Sequence, residues 1–173
     1  MTLAIGLLLV RLVIGLGLAA HGAQKLFGWF GGYGIAGTGG YFESLGWRPG
    51  KFFAAAAGFA EFVGGLLIAL GFLGAIGPML ILATMVVAIV AVHLKNGFFA
   101  QGGGIEVPLV YGAAAFGTIF GGFGSLSLDA ALGITALSQP AIVWGLLALG
   151  IIGGLANAAL RRPPQQVQAP SGS

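Results

Sequence analysis

Apolar residues arrive in five blocks, at 3–27, 51–72, 75–96, 106–123 and 140–160, separated by segments richer in glycine, proline and polar side chains. Each block approaches the ~20 residues a helix needs to cross the ~30 Å hydrocarbon core of a bilayer. In that medium every backbone N–H and C=O must be satisfied internally, so runs of this length are expected as α-helices. Gly28 ends the first helix, and Pro78 is tolerated in the first turn of the third. The segment 28–50 carries Trp29, Tyr33, Tyr41 and Trp47. Such rings favour the headgroup level, so it is expected at the interface or folded back over the mouth of the bundle. Residues 125–139 form a polar-punctuated connection, and 163–173 a disordered tail.

Composition agrees with this pattern. The 173 residues are 58% hydrophobic and 6% charged, against ~25% charged in a soluble domain. The expected class is therefore all-α, a polytopic helical bundle in a membrane. With the first helix starting outside, Lys25, Arg48, Lys51, Lys95, Arg161 and Arg162 all fall on the inner side, and the outer loops hold only Asp129. The positive-inside rule then places the N-terminus outside and the C-terminus in the cytoplasm. The net charge of +3 reflects this orientation rather than nucleic-acid binding. Leu18-Ala19-Ala20 resembles a signal-peptide cleavage region, but no cation precedes the apolar core and Arg11 interrupts it, so no cleavage is expected. The absence of cysteine excludes disulfides, a catalytic thiol and thiolate-held iron–sulfur clusters.

The informative residues are the polar ones inside the apolar blocks. A charge near the bilayer centre costs about 2.5–3.5 kcal/mol on insertion scales, so such groups face a bundle interior and usually act there. Arg11, Gly15, Gly22 and Lys25 share one stripe of the first helix, with His21 beside it. On the second, Ala54, Gly58, Glu61 and Gly65 form a small-residue face, and Phe52, Phe59, Val63, Leu66 and Leu70 a bulkier one. Glu61 is thus expected to face protein. By helical rise, His21 lies ~9 Å from the inner end of its helix and Glu61 ~15 Å from Lys51. His93 and Glu106 sit near the same end. Convergence of His21, Glu61, His93 and Glu106 is expected, with Lys25 at the mouth and Arg11 ~15 Å higher, stabilising a negative charge or the bundle.

Two readings of that cluster stay open: a working site for proton exchange, or a structural ion network fixing helix register. His21 and His93 could in principle hold a haem axially, though no other feature signals haem. Glu106 and Pro108 also make a favourable helix start. Gly32-Tyr33-Gly34-Ile35-Ala36-Gly37 matches G-x-G-x-x-G but lacks the surrounding βαβ unit that fingerprint requires. Gly117-xxx-Gly121 and Gly150-xxx-Gly154 fit the small-residue pattern for close helix packing in lipid.

Together, Arg11-Leu12, His21-Gly22-x-Gln24-Lys25-Leu26-Phe27, Glu61-x-x-Gly64-Gly65, His93, Glu106-x-Pro108 and Ser127-Leu128-Asp129 resemble the DoxX family of small membrane proteins. The resemblance covers 3–132. It implies a four-helix membrane domain at 1–132, followed here by an additional transmembrane helix at 133–162 and the tail at 163–173. Some relatives are described as oxidoreductases, one branch resembles the membrane subunit of a thiosulfate:quinone oxidoreductase, and others work with redox partners in oxidative-stress defence. Related eukaryotic proteins are cargo receptors, so fold alone does not fix the chemistry. The resulting expectation is a subunit of an oxidoreductase assembly in a bacterial inner membrane, binding a quinone or small redox molecule. Glu61 and His93 would exchange protons with it, and Arg11, His21, Lys25 and Glu106 would bind or orient it. The expected partners are lipid and a redox protein or a second copy, with no nucleic acid and no metal. A proton-coupled or small-solute transporter and a non-catalytic scaffold are the alternatives. No inverted repeat of the transporter kind is evident.

Overall fold

The computed structural model describes residues 1–162; the expected disordered tail lies outside them. The chain forms α1 (Thr2–Phe27), α2 (Gly34–Ser44), α3 (Gly50–Leu70), α4 (Ile76–Asn96), α5 (Glu106–Gly121), α6 (Leu128–Leu132) and α7 (Pro140–Ala159). Among the described residues there is no strand. Helices α1, α3, α4 and α7 are long and apolar enough to cross a membrane. α5 falls within the fourth expected span but has only 16 residues, or ~24 Å. It nevertheless runs from the end of the bundle that holds Lys25 to the end that holds Arg11, where Gly124 abuts Leu7.

The apolar exterior is that of a membrane protein: Leu9, Val13, Phe59, Phe116, Trp144 and Ile152 are all exposed. With lipid as solvent, helix association rests on close packing rather than on hydrophobic burial. The interface of α1 with α3 is built from glycine. A Cβ on Gly15 would stand 2.5 Å from Gly65 O, and one on Gly65 would stand 2.5 Å from Ala19 N. Gly150 and Gly154 seat α7 on Met79 and Ala83 of α4 in the same way. The other anticipated pair, Gly117 and Gly121, has no neighbour within 4 Å and lies on the exposed side of α5. A small-xxx-small spacing permits close approach but does not say which helix face has a partner.

Both connections contain helices that the hydrophobic pattern did not indicate. α2 occupies much of 28–50 and packs on the start of α3, with Gly39 against Lys51. The unpaired Gly50 N–H at the start of α3 is met by Glu43 Oε1 at 3.0 Å. At the opposite end, Ser127 caps α6 by accepting from Ala130 N–H at 3.2 Å. Asp129 accepts from Leu73 N–H (2.9 Å) and Gly74 N–H (2.7 Å), while its own N–H donates to Gly71 O. Ser127-Leu128-Asp129 is therefore a clip that holds the α3–α4 turn against α6.

Candidate functional site

Glu61 sits on the small-residue face of α3, with Ala54, Gly58 and Gly65, and all four are buried. Its exit from solvent is possible because Gly58 and Gly22 bring α1 close enough for Lys25 to reach it. Lys25 Nζ donates to Glu61 Oε1. The pair is asymmetric: the Lys25 side chain is 28% exposed and that of Glu61 only 6%. Glu61 Oε2 is buried with no hydrogen-bond partner. An unsatisfied buried carboxylate oxygen is costly and calls for an explanation, such as a molecule bound in the cavity.

Lys25, Glu61 and His93 line one cavity of about 320 Å³, bounded by α2, α3, α4 and α7. Its walls are mainly apolar, with the rings of Tyr41, Phe42, Trp47 and Phe53 on one side and Thr84, Val87 and Ala88 on the other. His93 reaches it from an unusual stretch of backbone. Residues Ala88–His93 of α4 form a π turn, a widening that often occurs at functional sites. His93 Nδ1 lies 2.6 Å from Gly103 O. A carbonyl only accepts, so Nδ1 carries the hydrogen, and in the neutral ring Nε2 is the acceptor.

Arg161 braces the same region from α7. Its Nε donates to Leu45 O (2.5 Å) and its Nη1 to Ala91 O (2.7 Å), within the π turn. Trp47 Nε1 donates to Asn157 O at 3.1 Å, and Arg162 N–H to Gly46 O at 2.9 Å. The end of α7 is thus stapled to the α2–α3 connection, and the helix lines the cavity through Gly153, Gly154 and Asn157.

The expected four-residue convergence is only partly present. Glu61 and His93 share the cavity with Lys25. His21 is exposed on the neighbouring face of α1, 5.9 Å edge-on from the ring of Tyr111, with Nδ1 3.2 Å from Gln24 Oε1. Its depth along the helix matches expectation, but its rotation about the axis does not. His21 does not line the cavity that His93 faces. Glu106 is also outside the cavity: its Oε2 accepts from Ala100 N–H at 2.7 Å and ties the 97–105 loop to the start of α5. Arg11 lies near the opposite end of the bundle, 1% exposed, with Nη2 donating to Leu126 O at 2.5 Å and its guanidinium 5.6 Å from the Phe123 ring centroid. Gly71, in the left-handed region at φ 65, leaves the space that Arg11 Nη1 fills; a Cβ there would collide with it. Among the described residues, no group of three or more His, Asp and Glu is placed to hold a metal ion.

A second, more open cleft adjoins the first at Lys25, Tyr41 and Phe42, which line both. Two of the three glycines of the G-x-G-x-x-G stretch, Gly32 and Gly37, lie in its wall, where they shape a turn and the start of α2 rather than a nucleotide loop. Sequence reasoning also missed Asn157 in the cavity wall. Its signal was present: it is the one amide in an otherwise apolar 20-residue helix.

The fold and site define a small polytopic membrane protein in which a half-buried ion pair and a histidine face an apolar cavity. The DoxX family model matches residues 6–94, from α1 to the His93 end of α4, and the chain belongs to the DoxX family. No curated protein and no solved structure matches it.

Proposed function

We propose that this DoxX protein binds a quinone, or a small redox molecule of similar shape, in the Lys25–Glu61–His93 cavity and serves as the membrane subunit of an oxidoreductase assembly. The observation that carries this reading is the unpartnered Glu61 Oε2, which shares with His93 a ring-lined space of about 320 Å³. That volume falls in the range of small-molecule sites, which are mostly apolar with a few placed polar groups. Interconversion of quinone and hydroquinone moves two electrons and two protons. Glu61 Oε2 and His93 Nε2 each carry one proton, Lys25 orients a ligand oxygen, and the electrons are exchanged with a partner redox protein.

The test uses Glu61→Gln and His93→Gln, each purified in mild detergent, with melting temperature and binding of a short-chain benzoquinone measured on the same samples. An amide keeps size and hydrogen bonding but does not ionise. In Glu61→Gln, Lys25 retains access to water through the adjoining cleft, so the fold should persist while binding weakens at least about tenfold, the equivalent of ~1.4 kcal/mol. Unchanged binding in both variants would remove these residues from the site.

Six of the seven Lys and Arg residues, all but Arg11, cluster at the end of the bundle that contains this cavity. We place that end in the cytoplasm, with the protein in a bacterial inner membrane. A reporter active only outside the cytoplasm, fused after Ser173, should therefore be silent. Strong activity would invert the orientation.

A further inference from the structure

The residues matched to the family end at 94, yet the cavity is not closed by them. Gly153, Gly154 and Asn157 of α7 complete its wall. The position of Asn157 is set by its backbone, whose carbonyl accepts from Trp47 Nε1. Two further bonds from Arg161 to Leu45 and Ala91 hold the end of the helix against α2 and α4. Asn157 is half-buried in the cavity wall, and its carboxamide makes no hydrogen bond among the described residues. Elsewhere in the cavity Lys25 is committed to Glu61, Thr84 Oγ1 to Ile81 O at 2.8 Å, and His93 Nδ1 to Gly103 O, while Glu61 Oε2 is unpartnered.

We propose that Asn157 is the specificity-determining residue of the cavity, recognising an oxygen of the bound molecule from the α7 wall. This rests on the ligand-site reading above and adds the chemistry the ligand must present on its second edge. A carboxamide offers an N–H donor and a carbonyl acceptor. It therefore meets a carbonyl oxygen through NH₂ and a hydroxyl through its own oxygen, without any change of charge. A group facing a molecule that alternates between quinone and hydroquinone gains from that property, whereas a Lys only donates and an ionised Glu only accepts. The ligand class is thus a ring carrying oxygens on two edges, one toward Glu61 and the other toward α7.

The experiment compares the full chain with Asn157→Leu, which keeps the volume and loses both hydrogen bonds, and with Asn157→Ala as a second variant. Both leave the backbone carbonyl used by Trp47. The probes are a short-chain benzoquinone, its hydroquinone, and an alkylbenzene of matched size without oxygen, titrated in detergent with melting temperature recorded. Both oxygen-bearing probes should bind about tenfold more weakly to the variants, as expected for one lost buried hydrogen bond, while the alkylbenzene binds Asn157→Leu as well as the parent. Equal weakening of all three probes would overturn the proposal, since it would show a change of shape rather than of recognition. Parent-like quinone binding by Asn157→Leu, when Glu61→Gln has lost it, would overturn the role of Asn157 alone. Parent-like binding by both variants would overturn the ligand site as well.

Discussion

Lys25→Met should lower stability by about 3–5 kcal/mol, and Lys25→Met combined with Glu61→Leu should recover most of that loss. The asymmetry of the pair dictates this. Glu61 is 6% exposed at its side chain, on the face of α3 that packs against α1, so removing its partner leaves a largely buried carboxylate uncompensated. Methionine keeps the length of the lysine stem, which passes over Gly58, so the change isolates the charge. An uncompensated buried carboxylate is strongly destabilising, whereas replacing both members with apolar groups of similar volume is often neutral. The converse single change, Glu61→Gln, is milder because Lys25 is 28% exposed and can turn its ammonium into the adjoining cleft. Thermal unfolding of the three variants in one detergent checks the pattern. A double variant as unstable as Lys25→Met would show that packing, not charge, holds this position.

The same contrast shows how far the site could be read from the chain. Apolar periodicity located the long helices to within a few residues, because length and composition decide what crosses a bilayer. Spacing also placed Arg11, Gly15 and Gly22 on the buried stripe of α1 and Glu61 on that of α3. It failed at His21, which lies one residue from buried Gly22 and hence about 100° around the helix. Depth is linear in sequence, but azimuth turns on a single position. Glu106 failed differently: the 97–105 loop folds back, and Ala100 N–H claims its carboxylate. α2 was not legible because four glycines in Gly34–Ser44 argue against a helix by propensity. Packing on α3 makes it one. The bonds from Arg161 to Leu45 and Ala91 join parts of the chain 116 and 70 residues apart, and no local pattern encodes such contacts. Arg161 and Arg162 read as a helix stop on the cytoplasmic side, which is their charge but not their hydrogen bonding.

Gly22→Ala and Gly117→Ala should change stability in opposite directions. Both glycines lie within helices, where alanine is intrinsically better by about 0.8–1 kcal/mol. At Gly117 nothing lies within 4 Å of the added methyl, so that gain should appear nearly in full. At Gly22 the methyl would collide with Phe62 N and stand 2.6 Å from Gly58 O. These are backbone atoms of α3, and no side-chain rotation relieves them. α1 and α3 must separate along the stretch that brings Lys25 to Glu61, at a cost of about 1–3 kcal/mol typical of overpacking. Separation also lengthens the ion pair, so quinone binding should fall together with stability in Gly22→Ala and remain unchanged in Gly117→Ala. Melting temperature and binding measured on purified protein in detergent test both halves. A loss of stability in Gly117→Ala equal to that in Gly22→Ala would mean that the exposed face of α5 is itself packed, against another copy or another subunit, and that the Gly117–Gly121 spacing serves that contact.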